Sequence, residues 1–153
     1  MAITAGQTPI YASGYPKAAV ADLNAASAGA LASTTNAATV LTGATTYGSR
    51  VSGLIATTTD TSAVNLYVFL VDSGGTTIMP LAQVNVPLRS GDTAGTLATN
   101  MLLSTVFVGL PRDQNGNPYI NVPPSYTLRV STVANMTAAK HCYVTALYND
   151  YQA

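Results

Sequence analysis

The side chains able to do chemistry are few and badly placed for it. The sole histidine, His141, directly precedes the sole cysteine, Cys142. Neighbours on a strand point to opposite faces, so the two cannot form a nucleophile–base pair within one strand. Cys142 reads instead as a small core residue beside Val144 and Ala146. His141 shares a face with Tyr143 and Thr145, a surface or interface position. The run Asp113-Gln114-Asn115-Gly116-Asn117 offers alternating oxygen ligands, as a calcium loop does. Such a loop needs Gly at its sixth position and Glu at its twelfth. The sixth residue is Pro118 and the chain has no Glu. A Gly-Asn turn opening a strand explains the same residues without metal. Asn135-Met136-Thr137 matches a glycosylation sequon, which carries weight only in a secreted chain.

Two groups with recognition chemistry remain. The four Arg (Arg50, Arg89, Arg112, Arg129) are scattered and suit pairing with carboxylates, since guanidinium is bidentate and weakly hydrated. Of the nine Tyr, Tyr11, Tyr15 and Tyr47 lie early and Tyr143, Tyr148 and Tyr151 close the chain. Tyr favours protein interfaces and carbohydrate-binding faces, because its ring stacks while its hydroxyl bonds. Tyr67 and Tyr126 suit core packing equally well. The sequence thus predicts no catalytic residue, no metal site and no cofactor: not an enzyme, but a protein that works by contact.

Composition points the same way. Charged residues make up 8% of the 153 and hydrophobic ones 48%, against about 25% charged in an ordinary domain. A formal net charge of zero removes the electrostatic term that drives nucleic-acid binding, and favours association. The N-terminus lacks the basic and apolar regions of a signal peptide. The stretch from Ala18 to Ala32 is broken by Asp22 and Asn24 and is too polar to span a bilayer. The expectation is a chain made in the cytoplasm, with neither nucleic acid nor membrane as partner.

The elements that must position these residues fall in two parts. Residues 1–36 are rich in Ala, Ser and Asn and carry few large side chains. They read as an extended N-terminal arm, with at most a helical turn or a first strand, long enough to lie across a neighbouring subunit. Ile10, Tyr11 and Tyr15 are its candidate interface anchors. Residues 37–153 read as a β-sandwich domain. Short runs rich in Val, Thr, Tyr and Leu recur between turn signals, at Ala37–Thr42, Ser49–Thr58, Ala63–Asp72, Thr76–Met79, Ala82–Pro87, Met101–Val108, Tyr119–Val122, Tyr126–Thr132 and His141–Tyr148. Residues 101–110 are ambiguous between a strand and a short helix followed by a strand. The run from Val64 to Val71 is apolar on both faces, as in a central strand with the core on one side and an intersubunit contact on the other. The fold class is all-β, an antiparallel β-sandwich of jelly-roll or Ig-like kind.

The stretch from Thr42 to Thr61, in which Gly48-Ser49-Arg50 turns into a strand and then a Thr/Asp turn, resembles small structural proteins of tailed bacteriophages. So do Leu66-Tyr67-Val68 with Gly74-Gly75, Leu110 to Pro118 before Tyr126 to Ser131, and the closing Val144 to Tyr151. The resemblance runs from about Leu41 to Tyr151 and rests on turns and strands; residues 1–36 are not covered. It implies a virion component of the capsid decoration (cement) type. Such a protein binds the major capsid protein on the outer capsid surface, commonly as a homotrimer, after synthesis in the host cytoplasm, and stabilises the capsid by bridging its subunits. The alternative is a head-fibre or tail protein binding a host surface glycan. That reading predicts exposed Tyr and Asn/Asp gathered at one end of the sandwich.

Overall fold

The computed structural model describes residues 11–12, 15–31, 33–93, 96–107 and 109–152. Among them the strands are β1 (Tyr11–Ala12), β2 (Lys17–Leu23), β3 (Ala38–Thr42), β4 (Ser49–Thr58), β5 (Val64–Val71), β6 (Ile78–Val86), β7 (Thr99–Asn100), β8 (Ile120–Val122), β9 (Thr127–Thr132) and β10 (Cys142–Gln152). Among the described residues a single 3-10 turn, Met101–Leu103, buries Met101 and Leu102. All strand pairing within the two sheets is antiparallel.

In the first sheet β10 is central, with β4 along one side and β2, then β1, along the other. The far edge of β4 is shared by β7 at one end and β8 at the other. The second sheet has the order β3-β9-β5-β6. Leu23, Leu54, Met101 and Val144 from the first sheet and its turn meet Leu66, Val68, Val84 and Leu128 from the second in one buried cluster. Each fully buried aliphatic side chain of this kind stabilises the fold by about 1.5–3 kcal/mol. The chain is a two-sheet β-sandwich, as its alternating Val/Thr/Tyr runs require.

Turn chemistry sets the register. The Asp72 carboxylate accepts the Thr76 and Thr77 amides at 2.8 and 3.1 Å, and Gly75 takes a positive φ of 74° in the β5–β6 hairpin. Gly48 has φ 80°, and a Cβ there would lie 2.4 Å from the Val122 carbonyl oxygen. Only glycine lets the chain pass so close to the end of β8 before entering β4.

The structure departs from the sequence expectation at one place and resolves two that the sequence leaves open. Thr76–Met79 and Ala82–Pro87 belong to one strand, β6, which continues through Pro80. β6 is the edge of its sheet, and the register shifts beside Pro80, where a missing amide costs least. Around Met101–Val108 the described chain takes the 3-10 turn rather than a long strand. Lys17–Leu23, within the segment expected as an arm, hydrogen-bonds along β10 from Tyr148 to Cys142, with Leu23 fully buried. Small Ala side chains let this strand lie flat without a wide apolar stripe of its own.

Candidate interaction face

Along β2, β10 and β4, alternate residues enter the core: Ala21 and Leu23, Cys142, Val144 and Ala146, Leu54 and Ala56. The period of two therefore sends the intervening residues outward. Read across the sheet, the outward rows are Asp22–Tyr143–Thr57, Val20–Thr145–Ile55 and Ala18–Leu147–Gly53. Val20 is 61% exposed, Leu147 42% and Tyr143 38%. A Cβ on Gly53 would come 3.2 Å from the Leu147 side chain, so the glycine lets Leu147 lie over β4. The centre of this face sets Val20, Ile55 and Leu147 around Thr145 and is free of charge.

Its two ends are polar. At one, His141 Nδ1 and Asp22 Oδ1 are 2.8 Å apart, and the His141 ring stacks on Tyr143 at 5.8 Å between centroids and 6° between planes. At the other, a bulge at Ser52 keeps Val51 inward and Arg50 outward. The Arg50 guanidinium lies over the Tyr119 ring, 4.2 Å from its centroid, a cation–π contact. Its Nη2 is 3.4 Å from Asp113 Oδ2, and its Nε is buried without a hydrogen-bond partner among the described residues. Tyr151 donates its hydroxyl to Asn121 Oδ1 at 2.5 Å. Burial pushes the Tyr151 hydroxyl pKa up, outweighing the opposing pull of Arg50. Nearby, Lys17 pairs with Asp150, whose other oxygen accepts the Ser49 hydroxyl at 2.6 Å.

The residues singled out in the sequence are dispersed. Cys142 is fully buried beside Val144 and Ala146, and burial pushes its thiol pKa up to about 12. The thiolate needed for nucleophilic attack is thereby suppressed. Asp113 Oδ1 accepts the amides of Asn115 and Asn117 at 2.9 and 2.8 Å, closing its own turn. The Asn117 amide first, against the opposing effect of burial, holds this carboxyl below its ordinary range. Among the described residues no group of three His, Cys, Asp or Glu side chains converges. Asn135 is exposed. Ile10 lies outside the described residues. Tyr11 pairs through its backbone with Gln152, and Tyr15 is 82% exposed.

Sequence reasoning missed two features. One is the Arg50–Tyr119 stack, because β4 and β8 are far apart in the chain and only their register joins Arg50 to Asn121. The other is Asp60, buried at 2% exposure. Its Oδ1 accepts the Ser62 amide and the Thr137 hydroxyl, and its Oδ2 accepts the Thr137 amide, at 2.8–3.0 Å. Burial alone would raise this carboxyl, but those hydrogen bonds outweigh it and hold the pKa below 3.8. Asp60 lines a small cleft of about 170 Å³ with Asn65, Asn135 and Met136. Its acceptors are already filled, so it acts as a loop staple. The signal was Thr58-x-Asp60-x-Ser62, where short polar side chains bond the backbone two residues away.

No described helix is long and apolar enough to cross a membrane. No protein-family model and no curated protein matches the chain. Among solved structures it is similar to a chain of the "Cyanophage Pam1 capsid asymmetric unit", at 18% identity and a TM-score of 0.41, over 97% of this chain and 98% of that one. A score this low carries no weight for fold or role.

Proposed function

We propose that the chain is a non-enzymatic structural component of a phage virion, which decorates and stabilises the capsid by bridging capsid subunits. The observation that carries this reading is the outward face of β2, β10 and β4. It is a mostly apolar, uncharged centre with Tyr and Arg towards its ends, the composition of a protein interface rather than of a reaction cleft. The strand order supports it by fold-level analogy. Setting aside the two-residue β1 and β7, the first, eighth, third and sixth strands form one sheet. The second, seventh, fourth and fifth form the other. We read this order as the winding of a jelly roll, an architecture of viral capsid and lectin domains. The major capsid protein as partner, the homotrimer and the outer-surface location come from the sequence resemblance. Tyr11 and Tyr15 precede β2 in the chain and, with Ile10, remain proposed as added contacts.

A second reading, recognition of a host glycan, is favoured by one observation. Tyr47, Tyr119 and Tyr151 gather at one end of the sandwich with Asn121 and the Asp113–Asn117 turn. Tyr47 and Tyr151 line a shared open groove. Sedimentation of purified chain with particles separates the readings. Saturation at a copy number matching the capsid lattice is expected for decoration. A handful of copies per particle, together with positive glycan-array binding, would favour the second.

A further inference from the structure

We propose that Arg50 is the anchor of the partner interface and receives an aspartate or glutamate side chain from the capsid protein. The inference rests on the decoration reading above and adds to it a residue and a recognition chemistry. A guanidinium recognises a carboxylate best through two parallel N–H···O bonds. Arg50 is held ready for such a bond and lacks it. Its own carboxylate neighbour, Asp113, reaches it through a single long contact of 3.4 Å. Both Asp113 oxygens are already engaged by their own turn, Oδ1 by two backbone amides and Oδ2 by the Asn117 side chain at 3.3 Å. Nε is buried with no hydrogen-bond partner among the described residues, and the one carboxylate contact is made by Nη2. The side chain keeps 27% of its surface exposed, so a partner can reach it.

Two neighbours and the burial of the site favour the same occupant. Tyr119 fixes the guanidinium plane from one side, so little side-chain freedom is lost on binding. Asn121 lies opposite Arg50 across the β4–β8 pair, and its carbonyl is taken by the Tyr151 hydroxyl, which leaves its amide N–H groups as donors. The Arg50 side chain is only 27% exposed, so a partner carboxylate would meet it largely out of water, where a charge-assisted bond is strongest. The place is also continuous with the apolar face. Arg50 stands on the same outward side of β4 as Ile55 and Thr57.

The test is titration of wild-type chain, R50K, R50A and N121A against particles lacking the protein, with folding of each variant checked by thermal denaturation. Arg50→Ala is expected to weaken binding roughly 30-fold or more, as interface anchors do. Arg50→Lys keeps the charge and can rest on Tyr119, but loses the fork; about tenfold weakening is expected. Asn121→Ala, at an exposed position, is expected to cost a smaller factor. Folded R50A and R50K that bind with wild-type affinity would overturn the proposal while leaving decoration intact. Wild-type chain that does not bind particles at all would instead remove the decoration reading. Loss of binding to an acidic glycan in R50A, with particle binding unchanged, would assign the site to a saccharide and overturn the protein partner.

Discussion

The central strands of the two sheets, β5 and β10, treat their outward sides differently. β5, in the second sheet, is flanked by β9 and β6, and its core side holds Leu66, Val68 and Leu70. On its other side Phe69 and Val71 are also fully buried, within this one chain. β10, equally central in the first sheet, buries Cys142, Val144 and Ala146 but leaves Tyr143 and Leu147 open, beside Val20 of β2. The difference teaches where a partner is still needed. A strand that is apolar on both faces invites the idea of an intersubunit contact, yet here that apolar surface is already satisfied. The surface left over belongs to strands with an ordinary alternating pattern.

The comparison can be broken first at Phe69. If its burial is intrinsic to the monomer, Phe69→Ala removes a filled site and is expected to cost about 3–5 kcal/mol, read by urea denaturation of the isolated chain. A loss below about 1 kcal/mol would mean that the second face of β5 is covered only in an assembly. Next in size is the Asp60 staple. Asp60→Asn turns one of the two acceptor oxygens into a donor that faces the amide of either Ser62 or Thr137, and a loss of about 1–3 kcal/mol is expected. The acid dependence has a definite sign. Because the folded pKa lies below its ordinary 3.8, the Asp60 contribution is full above that value and fades as pH falls through the lower folded one. Asp60→Asn should therefore flatten the acid limb of the stability curve without changing its neutral limb in shape. Smallest in stability are Val20→Asp and Leu147→Asp. At these exposed positions each is expected to shift folding by no more than about 0.5 kcal/mol, while particle binding drops at least about tenfold. If the same pair of changes unfolded the chain, the face would be part of the core.

How much of this was legible beforehand follows from distance along the chain. The alternation in Tyr126 to Thr132, the Gly74-Gly75 turn and the bounds of β4 are local, and propensity alone carries them. The opposite faces of His141 and Cys142 follow from strand period in the same way. β2 was harder, because Ala19 and Ala21 bury too little surface to announce a strand; β10 supplies its pairing from more than a hundred residues away. Pro80 looked like a break because the sequence does not say which strand forms the edge. The Arg50–Tyr119–Asp113 grouping needs the β4–β8 register and the turn after Arg112, neither of which is written in any one segment. The scattered arginines look alike in sequence; in the fold one of them lies over a Tyr ring, half-buried, with a single long carboxylate contact.

The most direct measurement is hydroxyl-radical footprinting of the chain free and bound to particles, read at individual side chains. Labelling of Tyr143, Leu147 and Val20 is expected to fall on binding, with Tyr119 and Tyr151 beside Arg50, while the β5–β6 hairpin at Ser73 to Thr77 stays as reactive as in the free chain. Unchanged labelling at Tyr143 and Leu147, with protection at that hairpin instead, would contradict the assignment of the β2–β10–β4 face as the surface through which this protein works.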